Sequence, residues 1–184
     1  AGEIVGIAGV SGNGQSELLQ ALACIQPLHQ GTLQIQGTTI TPDSPSNPAV
    51  ARDLGVGHIP EDRHQLGMVT RFSAAESSIL GFHRDSRFNG PLLMQRGAVE
   101  HHCETLMERF DVRPPHPQLK SANFSGGNQQ KLIIAREMDQ EPSVLLVGQP
   151  TRGVDIGAIE FIHRQLIDMR DRGCGVLLLS VELD

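Results

Sequence analysis

The stretch from Glu3 to Ile25 constrains this chain more than any other. EIVGIA is a short apolar run that feeds directly into GVSGNGQSEL, Gly9 to Leu18. Leu18, Leu22 and Ile25 then recur at i, i+4 and i+7, one stripe of a helix. Strand, glycine-rich turn and helix in that order let a loop aim backbone N–H groups and a helix N-terminus at an anion. Glycine clusters also make ordinary turns, but Gly9, Gly12 and Gly14 lie between an apolar strand and an amphipathic helix, which favours a phosphate loop. Ser16 can offer a hydroxyl to Mg2+. Position 15, where such loops carry lysine, holds Gln15, so the cation that would neutralise the β- and γ-phosphates is missing.

GTLQIQG alternates Leu33 and Ile35 with polar neighbours and reads as a half-exposed strand, whereas Thr38 to Pro48 reads as a loop. LGVGHIPEDR reads as another short strand ending near Pro60. From about Gly67 to Met138 the texture is helical: AVEHHCETLMERF sets Val99, Cys103, Leu106 and Phe110 on one face, and RPPHP closes it. SVLLVG and GVLLLS are continuous apolar strands of the buried parallel kind. Between them a helix from about Ala158 carries Ile159, Ile162, Leu166 and Met169, and Gly173 stops it. Strands alternating with helices predict an α/β core, interrupted by a helical insertion.

A chain of 184 residues is one domain's worth. Its longest apolar runs, Val144 to Val147 and Val176 to Leu179, are far too short to cross a bilayer, and its start has no basic leader. A net charge of −6 argues against nucleic acid as the main partner. Cys24, Cys103 and Cys174 are widely separated with no C-x-x-C pair, which predicts buried, inert thiols in a reducing compartment. His101 and His102 beside Cys103 do not read as a zinc site, because adjacent histidines diverge on a helix; a solvated pair beside a core thiol is expected, and His58, His64 and His163 are read likewise.

In FSGGNQQKLIIAREM, Ser125 can cap a helix while Gly126 and Gly127 leave its first amides unobstructed for an anion. A common N-cap after a loop fits equally well. With GVSGNGQS before it and VLLVGQPTRGVD after it, this motif resembles the Walker A, signature, Walker B and D-loop series of ABC-transporter ATPase domains, over essentially the whole chain. IPEDR, FSGGNQQK and PTRGVDIGA are similar, more narrowly, to the second nucleotide-binding domain of the tandem ATPases that drive bacterial simple-sugar and nucleoside importers, and IEFIHRQLIDMRDRG looks most like the nucleoside branch.

The resemblance implies an α/β, P-loop NTPase-type ABC ATPase fold: a RecA-like core over about 1–65 and 141–184, a helical signature subdomain over about 66–140, and a chain truncated at both ends. It implies ATP and Mg2+ at Gly9, Ser11, Gly12, Asn13, Gly14, Gln15, Ser16 and Glu17, with Ser16 towards the metal. Ser125, Gly126, Gly127, Asn128 and Gln129 would close over a partner domain's ATP. Glu61, Asp62, Arg63 and Asp155 would serve coupling and the interface. Implied partners are a second ATPase domain, in the same full-length chain or across a dimer, and membrane permease subunits, with no nucleic acid; the place would be peripheral, at the cytoplasmic face of the bacterial inner membrane.

Against the family pattern, the Walker A lysine is Gln15, the Walker B aspartate is Gly148, the catalytic glutamate is Gln149 and the switch histidine is Val181. A glutamine cannot accept water's proton. A general base contributes about 10²- to 10⁴-fold, and each lost charge-assisted contact weakens phosphate binding by roughly 1.5–3 kcal/mol. The expectation is a domain that does not hydrolyse nucleotide alone but whose intact signature serves a neighbour. Two other readings stand beside it: an active ATPase with unusual residues, and a soluble ABC protein acting on ribosomes or DNA, which the acidic balance disfavours.

Overall fold

The computed structural model describes residues 2–10 and 12–180. The chain divides into two compact units, one of Ala1–Glu61, Glu141–Pro150 and Arg164–Asp184, the other of Asp62–Gln140 and Thr151–His163.

In the first unit the apolar runs pair as a parallel sheet: β1 (Ile4–Ala8), β4 (Val56–Ile59), β5 (Val144–Gly148) and β6 (Gly175–Ser180), in the order β1-β6-β5-β4. Parallel strands buried on both faces need uninterrupted apolar side chains, which is what VLLV supplies in β5. The register pairs Ala8 with Ser180, Gly148 with Leu179 and Ile59 with Val147. The C-terminal ends of β1, β4 and β5 therefore share one edge of the sheet, and the segments that follow them gather there, where open parallel sheets bind ligands.

Helix α1 (Gln15–Leu22) follows the glycine loop. Its buried contacts are Leu19 and, just past its end, Ala23 and Cys24, packed with Ile35, Ile40, Ala51, Val56, Leu146 and Leu179. Leu18, expected on the core stripe, is 41% exposed. The helix stops at Leu22, and Cys24 turns left-handed at φ 56°, so Ile25 lies beyond the helix rather than one turn further along it.

The expected loop from Thr38 begins instead with a strand. β2 (Leu33–Ile35) and β3 (Thr38–Ile40) form an antiparallel hairpin in which Ile35 opposes Thr38. Gln36 and Gly37 both take positive φ, 48° and 79°, the geometry of a two-residue turn whose twist matches paired strands. Helix α2 (Pro48–Asp53) follows, capped by Asn47 Oδ1, which accepts the N–H groups of Ala49 and Val50.

The second unit opens with a single π-type turn, Arg63–Gly67. Helix α3 (Ala74–Ser78) has a reciprocal capping box between Ser73 and Glu76. Helix α4 (Arg96–Arg109) buries Val99, Cys103, Leu106 and Met107, and Phe110 just beyond it meets Phe161 edge-on at 6.2 Å. Helix α5 (Gly126–Met138) is buried almost all round from Gln129 onward. Helix α6 (Ile156–Asp171) starts in this unit and ends in the first. Its buried stripe is Ala158, Ile162, Leu166 and Met169, with Ile159 only half-buried.

The histidine pair on α4 is not uniformly solvated. The His101 side chain is 83% exposed, but that of His102 is 15% exposed. The His102 ring lies 4.9 Å from that of Phe88, and Nε2 is 3.9 Å from a carboxylate oxygen of Asp139. Burial lowers the His102 pKa, partly opposed by Asp139. Burial also pushes the Cys103 thiol up to about 12, and Cys24, Cys103 and Cys174 are all buried and unpaired with one another. These thiols are core residues.

Candidate functional site

The glycine loop needs its glycines. Gly12 and Gly14 sit at φ 88° and 91°, a region closed to most side chains, and Gly14 is the N-cap of α1 without any side-chain cap. A Cβ on Gly9 would collide with the side-chain amide nitrogen of Gln15. That collision marks where Gln15 goes: its Nε2 donates to the Val10 carbonyl at 2.8 Å, and its Oε1 accepts the Asn13 N–H at 3.1 Å. The side chain in the lysine position is thus folded back on the loop, taking up one of the backbone donors that a phosphate would use. Glu17 is exposed on the first turn of α1. Ser11 and Val181 lie outside the described residues.

Beside the loop, the carboxylate of Glu61 joins two other expected site residues. Ser16 Oγ donates to one of its oxygens and Gln149 Nε2 donates to the other. Gln149 is 9% exposed, its N–H donates to the Leu179 carbonyl at 2.8 Å, and its backbone is left-handed at φ 41°, an uncommon conformation for a residue with a side chain. Gly148 is hemmed in: a Cβ there would stand 2.9 Å from the Glu61 backbone nitrogen and 2.9 Å from Leu19 Cδ1.

The residues expected to face a magnesium ion are arranged as follows. The Ser16 hydroxyl is engaged by Glu61, Gly148 contributes no ligand, and among the described residues no group of three or more His, Cys, Asp or Glu is arranged to hold a metal.

In the second unit the expected signature residues come together at the start of α5. Ser125 is its N-cap, and its Oγ accepts from the Asn128 N–H at 3.4 Å and from Asn128 Nδ2 at 2.9 Å. Asn128 Oδ1 accepts the Arg113 N–H at 2.7 Å. Gln129 faces inward: Nε2 donates to the Ser121 carbonyl at 2.9 Å, and Oε1 pairs with His64 Nε2 at 3.0 Å. His64, read from sequence as a bystander, is therefore part of the support of this helix. Asp62 caps the π-type turn by accepting the N–H groups of His64 and Gln65, and Asp155 Oδ1 accepts the Ala158 N–H at 2.9 Å at the start of α6. Arg136 and Glu137, 3% and 1% exposed, pair at 2.9 Å. Arg136 Nη1 also donates to the carbonyls of Gly67 and Ser77. The only sequence signal of this pair was a doublet of charges inside the apolar run LIIAREM.

The profile of the family described as ABC transporter matches residues 1–152. The chain belongs to the ABC transporter family. Among its ABC relatives, the guanosine import ATP-binding protein of Bacillus subtilis is 44% identical over all of this chain and 36% of its own length. A glucose import ATP-binding protein of Haloferax volcanii is 43% identical over all of this chain and 33% of its own length. The chain thus spans about a third of the length of the curated relatives it matches. An ATP-binding cassette solved as a dimer in a post-hydrolysis state with ADP and Pi superposes with a TM-score of 0.78 at 22% identity, over 99% of this chain and 76% of that one. The ABC α/β fold is therefore the fold of this chain. Among the described residues no helix is long and apolar enough to cross a membrane.

Proposed function

We propose that this chain is a nucleotide-binding domain of an ABC importer for simple sugars or nucleosides, that its own Walker site does not hydrolyse ATP, and that its signature completes the ATP site of a partner domain. The observation that carries the proposal is the contrast between its two faces. At one, Gln15 and Glu61 bond the loop, Ser16 and Gln149 to one another. At the other, Ser125 caps a helix whose next residues are two glycines. The first arrangement offers a triphosphate few free donors, a carboxylate where positive charge is needed and no proton acceptor at the Gln149 position. The second keeps what the signature needs. Relatives named for a nucleoside and for a hexose match almost equally, so the proposed solute class spans both. Attachment is peripheral, through permease subunits, with residues 61–63 in the coupling role and Asp155 at the interface with the partner ATPase domain.

The test is ATP turnover by the full-length protein assembled with its membrane partners. Ser125→Arg is expected to abolish turnover, while Gln149→Ala leaves it unchanged. Turnover that survives Ser125→Arg but is lost with Gln149→Ala would establish the opposite reading, a working ATPase with unusual residues.

A further inference from the structure

We propose that Arg63 is a positioning residue that clamps the Arg152–Asp155 turn onto the first turn of α5, so that signature and turn meet a partner's nucleotide as one preset edge. The inference rests on the reading of the signature given above. Arg63 Nη1 donates to the Arg152 carbonyl at 3.0 Å. A Cβ built on Gly126 would lie 2.8 Å from Arg63 Nη2 and 2.9 Å from the Gly153 carbonyl oxygen. The guanidinium and the turn together fill the space that any side chain at Gly126 would need. One residue on, a Cβ on Gly127 would stand 3.0 Å from Asp155 Oδ2 and 3.3 Å from Ala158 Cβ. From sequence the two glycines read as leaving amides open; the structure gives them a second reason, since Arg63 and the Gly153 carbonyl approach the helix closely at Gly126, and Asp155 and Ala158 do so at Gly127.

Arg63 is itself held. It begins the π-type turn that Asp62 caps, and that turn is fastened to α5 by the His64–Gln129 pair and by Arg136 Nη1 on the Gly67 carbonyl. A guanidinium fixed in this way can define a distance between two loops, which a flexible ammonium cannot do with the same fork.

Its placement does not serve the stability of the helix. A cation beside a helix N-terminus opposes the helix dipole. Arg63 Nε is buried and has no hydrogen-bond partner among the described residues, which costs stability and calls for a reason outside folding. Holding a functional edge in register supplies that reason.

The test uses the full-length protein with its membrane partners, comparing Arg63→Met, Arg63→Lys, Asp155→Ala, the Arg63→Met/Asp155→Ala double variant, Ser125→Arg and the exposed control Arg84→Ala. Misplacing a reacting edge lowers kcat, so Arg63→Met is expected to reduce kcat roughly tenfold or more with KM changed by less than about twofold. Arg63→Lys should recover little of that loss, the double variant should lose no more than the worse single variant, Arg84→Ala should match the wild type, and the melting temperature of Arg63→Met should not fall. Full rescue by lysine, additive losses in the double variant, or a kcat loss accompanied by a lowered melting temperature would each overturn the clamp. Wild-type kcat in Arg63→Met beside an inactive Ser125→Arg would refute it while leaving the signature reading intact. A fully active Ser125→Arg would refute the signature reading, and the clamp with it.

Discussion

Placing an aspartate at Gly148, where the family pattern carries one, should damage the protein rather than activate it. A Cβ at this position would lie 2.9 Å from both the Glu61 backbone nitrogen and Leu19 Cδ1, against 3.4–4 Å for ordinary contact, and 3.3 Å from Glu61 Cα. Leu19 can rotate away, but the Glu61 backbone follows β4 and Pro60 and cannot. Overpacking of this kind costs about 1–3 kcal/mol, and in a domain of this size each kcal/mol lowers the melting temperature by roughly 2–4 °C. The new carboxylate would also stand beside that of Glu61. Thermal denaturation followed by circular dichroism should show a drop of several degrees, on the order of 5 °C. Gly148→Asp/Leu19→Ala should fare no better, because the backbone contact remains. Gly6→Ala, in β1 with nothing within 4 Å of its Cβ, is the control and should melt like the wild type. A Gly148→Asp protein that melts with the wild type and acquires Mg2+-dependent turnover would refute the reasoning.

Gln15→Lys removes the fold-back onto Val10 and Asn13 and adds a charge; it should tighten binding of a fluorescent ATP analogue by roughly tenfold to a hundredfold, in line with about 1.5–3 kcal/mol for a charged contact, without hydrolysis. Arg136→Met leaves the buried Glu137 carboxylate without its adjacent guanidinium and should cost about 3–5 kcal/mol by urea titration, most of it recovered in Arg136→Met/Glu137→Leu. His102 has a folded pKa below its ordinary value of 6.5, so the unfolded chain binds its proton first as pH falls. Its contribution to stability is complete above 6.5 and declines below that, down to the lowered folded value; melting temperatures of His102→Gln should show a shallower decline across this window than those of the wild type.

The strands and the signature helix were legible because each rests on a local rule. An unbroken apolar run such as Val144 to Val147 admits few uses in an α/β chain, and serine is a preferred cap before a helical pattern. The β2–β3 hairpin was missed because Gln36 is an unusual residue for a turn with positive φ, so the sequence carried no Asn-Gly or Asp-Gly mark. Leu18 was misjudged because α1 is only eight residues long, too short for its period to separate neighbouring stripes. Around the candidate site, the identities of Gln15, Gly148 and Gln149 could be read as lost chemistry. That Gln15 fills its own loop is a matter of one side chain's rotamer; that Glu61 joins Ser16 to Gln149 and that it crowds Gly148 are facts of three-dimensional approach between segments distant in the chain. For Arg63 the resemblance implied coupling; its close approach to Gly126 and Gly153 has no signal in the sequence.

The left-handed backbone of Gln149 has a consequence for the history of such a chain. Holding a branched-off side chain at φ 41° is a conformational burden of about 1–3 kcal/mol, tolerated in enzymes where it aims a reacting group. In the proposed reading the group has gone while the posture persists, like a vestigial limb still set in its socket. Glycine at that position would shed the burden and lose the bond to Glu61.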